Sequence, residues 1–451
     1  MSHCDDILQK AKGLKLDECE VVSIQKKITT VRITDSEIAE IKQNNEKAIA
    51  LRVIHEKKVL SGKITTDYNE NVLDRILKTS PFVQPKNFWK SLPPASKLTP
   101  VSRTHDLHLD NISGVEATDI AHEMINSATH EKITRISGSL NIVSERFHIM
   151  NTNGLDCSDF STYIAGTINA DSDLGMTPVS GIGASCSRTL ENFSPQEIGN
   201  DALDMCKGSI NSKSIERDSY SIIFEPYAFG ELLAFVFAAN FNLKTYSEKR
   251  SCFSDRMETK IANDNFSLVD DPHSPEGLGS KPFDDEGIPT QPQFLIKSGI
   301  FVNVFSDSFD AFREETKTTG NASRLGSPMG RSAQPIPMSL PHNLRVVNGS
   351  ISQNEIIKET KKGLLVGRLW YTYPVNPERG DFSCTARSGI RIIENGEIKS
   401  PGKSVRIVNN LQPVLQNIAV IGNNAKNVLQ WNSLPSITPT VKVDSLSVMP
   451  I

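Results

Sequence analysis

The alternation of apolar and polar positions divides the chain into two halves of different texture. In the first, residues 47–66 (KAIALRVIHEKKVLSGKITT) hold two β-prone runs around Glu56-Lys57 and predict a hairpin. A helix is expected over 71–78, followed by the Pro-bearing stretch 80–100, the best linker candidate in this half. Ser113 and Glu116 fit a capping box, and Ala117, Ile120, Ala121, Met124 and Ala128 recur at helical spacing, so 113–128 reads as a helix. Asn153-Gly154, a dipeptide that tolerates φ > 0, marks a tight turn between two further runs. Ser194-Pro195-Gln196-Glu197 opens another helix that extends to about Lys207. The pattern changes in the loop after it, which divides the chain into 1–212 and 213–451.

The second half begins with a strand at 220–224. From Pro226 the chain is apolar almost all round (Phe229, Leu232, Leu233, Phe235, Val236, Phe237), the mark of a buried helix, here 226–239. Beyond Phe253 strands and turns predominate. Ser352 and Glu355 fit a second capping box, Asn395-Gly396 a second hairpin, and PTVKVDSLSV alternates like a terminal strand. No repeat of ~20–50 residues is visible. The expected class is α+β with a β-rich C-terminal half.

Composition narrows the functions. The 451 residues carry 49 Lys+Arg against 53 Asp+Glu, a net charge of −4, without the basic excess of a dedicated nucleic-acid binder. The seven cysteines are odd in number, far apart and never in C-x-x-C, the pattern of reduced thiols. The N-terminus lacks the basic start and apolar stretch of a signal peptide. The longest apolar segment, 227–241, contains Glu231 and is shorter than the ~20 apolar residues of a spanning helix. A soluble, cytoplasmic protein that binds neither membrane nor nucleic acid is expected.

Local constellations offer little chemistry. His122-Glu123 has its next His at 130, about 12 Å along a helix at ~1.5 Å per residue, too far to share a zinc ion, so a solvated face is the better reading. His105-x-x-His108-x-Asp110 sits in a polar connector and reads as surface decoration rather than a metal site. Phe283-Asp284-Asp285-Glu286-Gly287 is either a cation or substrate-amine site or an acidic turn before a strand, and composition favours the turn. The glycine-rich Ser180-Gly181-Ile182-Gly183-Ala184-Ser185 lacks a P-loop lysine and an opening helix. Arg379 and Arg387 flank GDFSC and suit either an anionic group or plain surface charge.

Several strings in one order resemble the TldD/TldE family, also called PmbA or modulator of DNA gyrase. They are ALRVIHEKKVLSG (50–62), IMNTNGLDCSDFSTY (149–163), FDDEGIPTQ (283–291), TTGNASR (318–324), KGLLV (362–366), NPERGDFS (376–383), GIRIIENGEI (389–398) and NLQPVLQNIAVIGNN (410–424). The resemblance implies an α+β fold with an N-terminal α/β domain and a C-terminal domain dominated by antiparallel β-sheet. In the family's TldD branch, a helix carries H-E-x-x-x-H after a Leu-Leu pair, and a C-terminal Cys completes a zinc site. Here Leu232-Leu233 is followed by Ala234, Phe235 and Ala239 at those positions. Counting from Ser433-Leu434-Pro435, Asn427 falls about where the Cys would be. Methyl and phenyl groups cannot coordinate zinc or activate water.

The chain therefore resembles the TldE branch, the non-catalytic subunit of a peptide-processing metalloprotease. No cofactor is expected in this chain, and zinc is expected in a TldD-type partner. The implied partners are that paralogue in a heterodimer, or a second copy in a homodimer, and an unfolded peptide. Asp284, Asp285, Glu286, Thr319, Asn321, Arg324, Asp381 and Ser383 are the candidate cavity-lining residues. Two alternatives stay open: a free-standing homodimeric peptide-binding or regulatory protein, and a metallopeptidase with unusual ligands such as His105, His108 and the 284–286 carboxylates.

Overall fold

Residue parity along one long strand sets the layering of the N-terminal half. The computed structural model describes residues 3–14, 16–65, 71–430 and 434–451, so Ser433 and the last residue of the 47–66 hairpin lie outside it. β1 (Glu18–Thr34), β2 (Glu37–His55), β3 (Lys58–Ile64), β4 (Arg135–Asn151), β5 (Asp156–Ser172) and β6 (Val179–Ser187) form one antiparallel sheet, ordered β3-β2-β1-β4-β5-β6. Side chains alternate across a strand. On β1 the odd positions Cys19, Val21, Val31 and Ile33 pack under four helices: His3–Gly13, Val72–Leu77, Gly114–Ala128 and Pro195–Lys207. The even positions Val22, Ile24 and Ile28 pack against the C-terminal half through Phe283, Ala333, Leu278 and Met329. Both faces of the sheet are thus covered.

The turns and caps follow the sequence. Glu56 and Lys57 adopt φ of 50° and 58°, as a two-residue hairpin turn requires, and Gly154 has φ of 86°. Ser113 and Glu116 close a capping box, Ser194 caps the Pro195–Lys207 helix, and Ser352 boxes with Glu355. One expectation is corrected. The 80–100 stretch is not a free linker: the Trp89 indole donates to Glu18 at 2.9 Å, its ring meets Phe312 edge-on, and Leu92 is buried. The glycine-rich 180–185 stretch lies within β6, where the Pro195–Lys207 helix presses on the strand. A Cβ on Gly183 would stand 1.8 Å from the Ile198 carbonyl oxygen.

In the C-terminal half, strand Lys362–Asn376 pairs with both Asp218–Phe224 and Asp381–Glu394. With Val405–Asn410 and Val441–Pro450 these strands close into a five-membered ring, and Glu397–Pro401 and Ile418–Ile421 attach outside it. A second sheet runs Ile300–Phe301, Gln293–Lys297, Leu268–Asp270, Leu344–Val346, Ser436–Thr438, Lys426–Val428. The largest core cluster lies between them, around Phe224, Phe229, Phe237, Phe241, Phe253 and Phe301. The mixed α+β class with antiparallel sheets holds. Among the described residues no helix is long and apolar enough to cross a membrane.

Candidate functional site

The segment expected as one buried helix over 226–239 is three. An α-helix spans Pro226–Leu232, a π-helical turn Leu233–Phe237 and a 3-10 turn Ala238–Phe241. Wide turns of this kind re-aim side chains and recur at functional sites. The segment is not core on every side. Phe229, Leu232, Leu233 and Phe237 are fully buried, whereas Ala234 and Phe235 are half-buried and Ala239 is exposed. The positions that match the family's metal motif are therefore the ones turned away from the core.

Ala234 and Ala239 line a cavity of about 630 Å³. Its apolar wall includes Phe305, Phe309, Ile336, Met338 and Leu434, and Arg52, Lys86, Lys244, Asp307 and Asp310 supply charge. Asp307 caps the Ser308–Arg313 helix by accepting from the Asp310 amide at 2.8 Å. Burial, and then the nearby Glu286, push Asp307 up to about 7. Asn427 does not join this cavity. It lines a separate one of about 320 Å³ with Glu225 and Arg391, and its Nδ2 donates to the Glu276 carbonyl at 3.3 Å.

Zinc does not fit here. Ala234, Phe235 and Ala239 offer methyl and phenyl groups, and no cluster of three His, Cys, Asp or Glu among the described residues could hold a metal ion. His105 lies 3.6 Å from Asp110 and His108 3.1 Å from Glu116, while the 284–286 carboxylates are bound up elsewhere. His122 and His130 belong to the outer layer of the Gly114–Ala128 helix and the turn after it.

The FDDEG string forms a buried turn at the centre of a charge network, away from the Ala234 cavity, with Asp285 beside a separate small pocket next to Lys281 and Arg331. Asp284, Asp285 and Glu286 are all fully buried. Glu286 accepts from Arg52 at 2.5 Å, and Arg52 also pairs with Glu20 on the neighbouring strand at 2.6 Å. Glu20 in turn pairs with Arg324, whose Nε donates to the Asp285 carbonyl at 3.0 Å. Asp285 binds Lys281 at 2.8 Å and Arg331 at 2.9 Å, and Arg331 reaches Asp159 on β5 at 2.5 Å. Burial alone would raise Asp285 and Glu286. The cations outweigh it, Lys281 and Arg331 for Asp285 and Arg52 for Glu286, and hold both carboxylates low. Among the described residues Asp284 has no ion-pair partner: burial and the Glu286 charge push it up to about 8, and it accepts from the amides of Glu286, Ile288 and Ala322.

The remaining candidates are structural in their contacts, and none lines the Ala234 cavity. Thr319 accepts from the Ser306 amide at 2.7 Å, and buried Asn321 donates to Asp270 at 2.6 Å. Asp381 accepts from Asn410 at 2.8 Å and Ser383 from Arg406 at 3.0 Å. Sequence reasoning missed Glu20, Arg52, Glu145, Asp159 and Arg331. The available signal was parity: Glu20 and Lys26 fall in phase with Val22, Ile24 and Ile28 on one face of β1.

Comparison with known proteins gives consistent matches. A family profile described as the PmbA/TldA metallopeptidase C-terminal domain matches residues 217–449, and the central-domain profile of the same family matches 107–207. An uncharacterised protein of Methanocaldococcus jannaschii is 29% identical over 258 residues, 55% of this chain and 56% of that protein. Metalloprotease PmbA of Escherichia coli O157:H7 is 26% identical over 251 residues, 55% of this chain and 51% of that protein. The chain thus spans about half the length of the curated relatives it matches. The structure of TldE from Thermococcus kodakarensis superposes with a TM-score of 0.89 at 22% identity, covering 99% of each chain. A Thermotoga maritima protein described as a modulator of a DNA gyrase superposes at 0.87 and 22%, covering 98% of each. At that identity the structural likeness shows the fold alone.

Proposed function

The chain belongs to the PmbA/TldD metallopeptidase family, and from that premise we propose that it is a non-catalytic, peptide-binding subunit of a zinc metalloprotease pair. One observation carries the reading. Two of the three helix positions that would present the zinc ligands and the catalytic carboxylate, Ala234 and Ala239, line an open cavity of about 630 Å³, and the third holds Phe235. Loss of ligands with retention of the cavity is what a subunit that binds but does not cut requires. The cavity lies within the ~300–1,000 Å³ range of ligand sites, and its mixed apolar and charged wall suits an extended peptide.

In this reading a paralogue bearing H-E-x-x-x-H supplies the zinc and the water-activating carboxylate, and this chain supplies surface. The relatives named metalloprotease agree with a peptidase role at family level. The test is a titration of a fluorescent unfolded peptide against the purified chain and its Ala239→Trp variant, with co-purification of the paralogue alongside. Ala239 is exposed, so the indole fills the cavity without disturbing the core. Loss of peptide affinity with an unchanged unfolding midpoint supports the reading. Undiminished affinity in the variant, or failure of the paralogue to co-purify, contradicts it.

A further inference from the structure

A second cleft, of about 690 Å³, opens between the polar face of the first sheet and the Lys362–Asn376/Asp381–Glu394 hairpin. Its floor is set by parity. Ser139 and Asn141 on β4 and Thr167 and Asn169 on β5 point away from the helices, so hydroxyls and carboxamides alternate along it. Opposite stands Trp370 between two guanidinium groups, Arg368 at 4.6 Å and Arg387 at 5.4 Å from its ring centroid.

The cleft is lined by two cations, Arg368 and Arg387, and one carboxylate, Asp171, and is net positive. Arg368 is only 8% exposed, and its guanidinium donates a 3.3 Å hydrogen bond to the Asn169 Oδ1. Among the described residues neither Arg368 nor Arg387 has an ion-pair partner, in contrast to the matched cations of the 281–331 network. The carboxylates within electrostatic range are engaged: Asp171 pairs with Arg135 at 3.1 Å and accepts from Asn169, and Glu231 accepts from Thr372. Burial lowers the Arg368 pKa and neighbouring Arg387 adds to this, while Tyr227, Glu231 and Asp171 offset it only in part.

We propose that this cleft binds a carboxylate-bearing peptide, with the carboxylate held between Arg368 and Arg387 against Trp370 and the peptide backbone laid along the Ser139, Asn141, Thr167 and Asn169 floor. Guanidinium groups match carboxylates in plane and charge, and an indole face steadies them. The inference rests on the peptide-binding reading above but concerns a different cavity. The carboxylate has two sources, the α-carboxylate of a chain end or an Asp or Glu side chain.

Calorimetric titration of the full chain with three pentapeptides tests it: one neutral with a free C-terminus, the same peptide amidated, and an amidated version with a central Glu. Binding of the first alone assigns the site to chain ends, of the third alone to acidic side chains, and of both to any carboxylate. The neutral amide is expected to bind at least roughly tenfold more weakly. Arg387→Gln, at an exposed position, is expected to lower the affinity of the carboxylate peptides roughly tenfold with no change in unfolding midpoint. The inference is overturned if the neutral amide binds as tightly as the acids, or if Arg387→Gln leaves their affinity unchanged. Ala239→Trp separates the two sites. Peptide binding abolished by Ala239→Trp but untouched by Arg387→Gln sinks this cleft and leaves the first cavity standing.

Discussion

Asp285 shows most sharply how one residue type can mislead. In sequence it is the middle of an exposed-looking acidic turn; in the fold it is buried and bound to Lys281 and Arg331. Removing one partner from such a cluster leaves the others charged and dry, so Asp285→Ala is expected to cost about 3–5 kcal/mol in denaturant unfolding. A cost below about 1 kcal/mol would mean that the cluster is wetter than its geometry. Asp307 makes the opposite prediction. Its folded value of about 7 lies above the roughly 3.9 of an unfolded Asp, so the folded chain holds a proton that the unfolded chain has released. Its contribution to stability therefore falls as pH rises from about 4 to 7 and is level above that. Asp307→Asn keeps an uncharged cap and should flatten this window of the stability–pH curve; an unaltered slope would count against the assignment. Burial and charge pairing are tertiary facts, which is why neither residue's behaviour was legible. Side-chain parity on β1 gave a partial hint for Glu20.

Elements with strong local signals were legible almost to the residue. Capping boxes at Ser113 and Ser352, the Ser194 cap and the turns at Glu56-Lys57 and Asn153-Gly154 depend on chemistry within a few positions, and all form as read. The 226–241 segment was not: its apolar count gave burial, but the π-turn that rotates Ala234 and Ala239 outward depends on packing against both sheets. Likewise the close packing that Gly181 and Gly183 permit was not legible, because the helix lying across β6 is invisible in sequence. Gly183→Ala should destabilise by at least about 1–3 kcal/mol, since the methyl meets the Ile198 carbonyl backbone, and thermal unfolding would show it. Gly114→Ala, with nothing within 4 Å of the added methyl, serves as the control.

At the scale of the molecule, the buried ion pairs join strands β1, β2, β4 and β5 to the loops at 281–331. The two halves should accordingly unfold together. Coincident transitions by far-UV circular dichroism and tryptophan fluorescence are expected, and two separated transitions would contradict the coupling. The α+β class and the family resemblance were readable from ordered strings spread along the chain. The cavities were not, because each is assembled from segments far apart in sequence. The central claim is that the retained cavity binds peptide while the lost ligands leave catalysis to a partner. Zinc content and peptide cleavage, measured together on the purified chain alone and after mixing with its H-E-x-x-x-H paralogue, test it most directly. The account predicts no stoichiometric zinc and no cleavage from the chain alone, and chelator-sensitive cleavage from the mixture that exceeds the paralogue's own. Zinc-dependent cleavage by this chain by itself would contradict it.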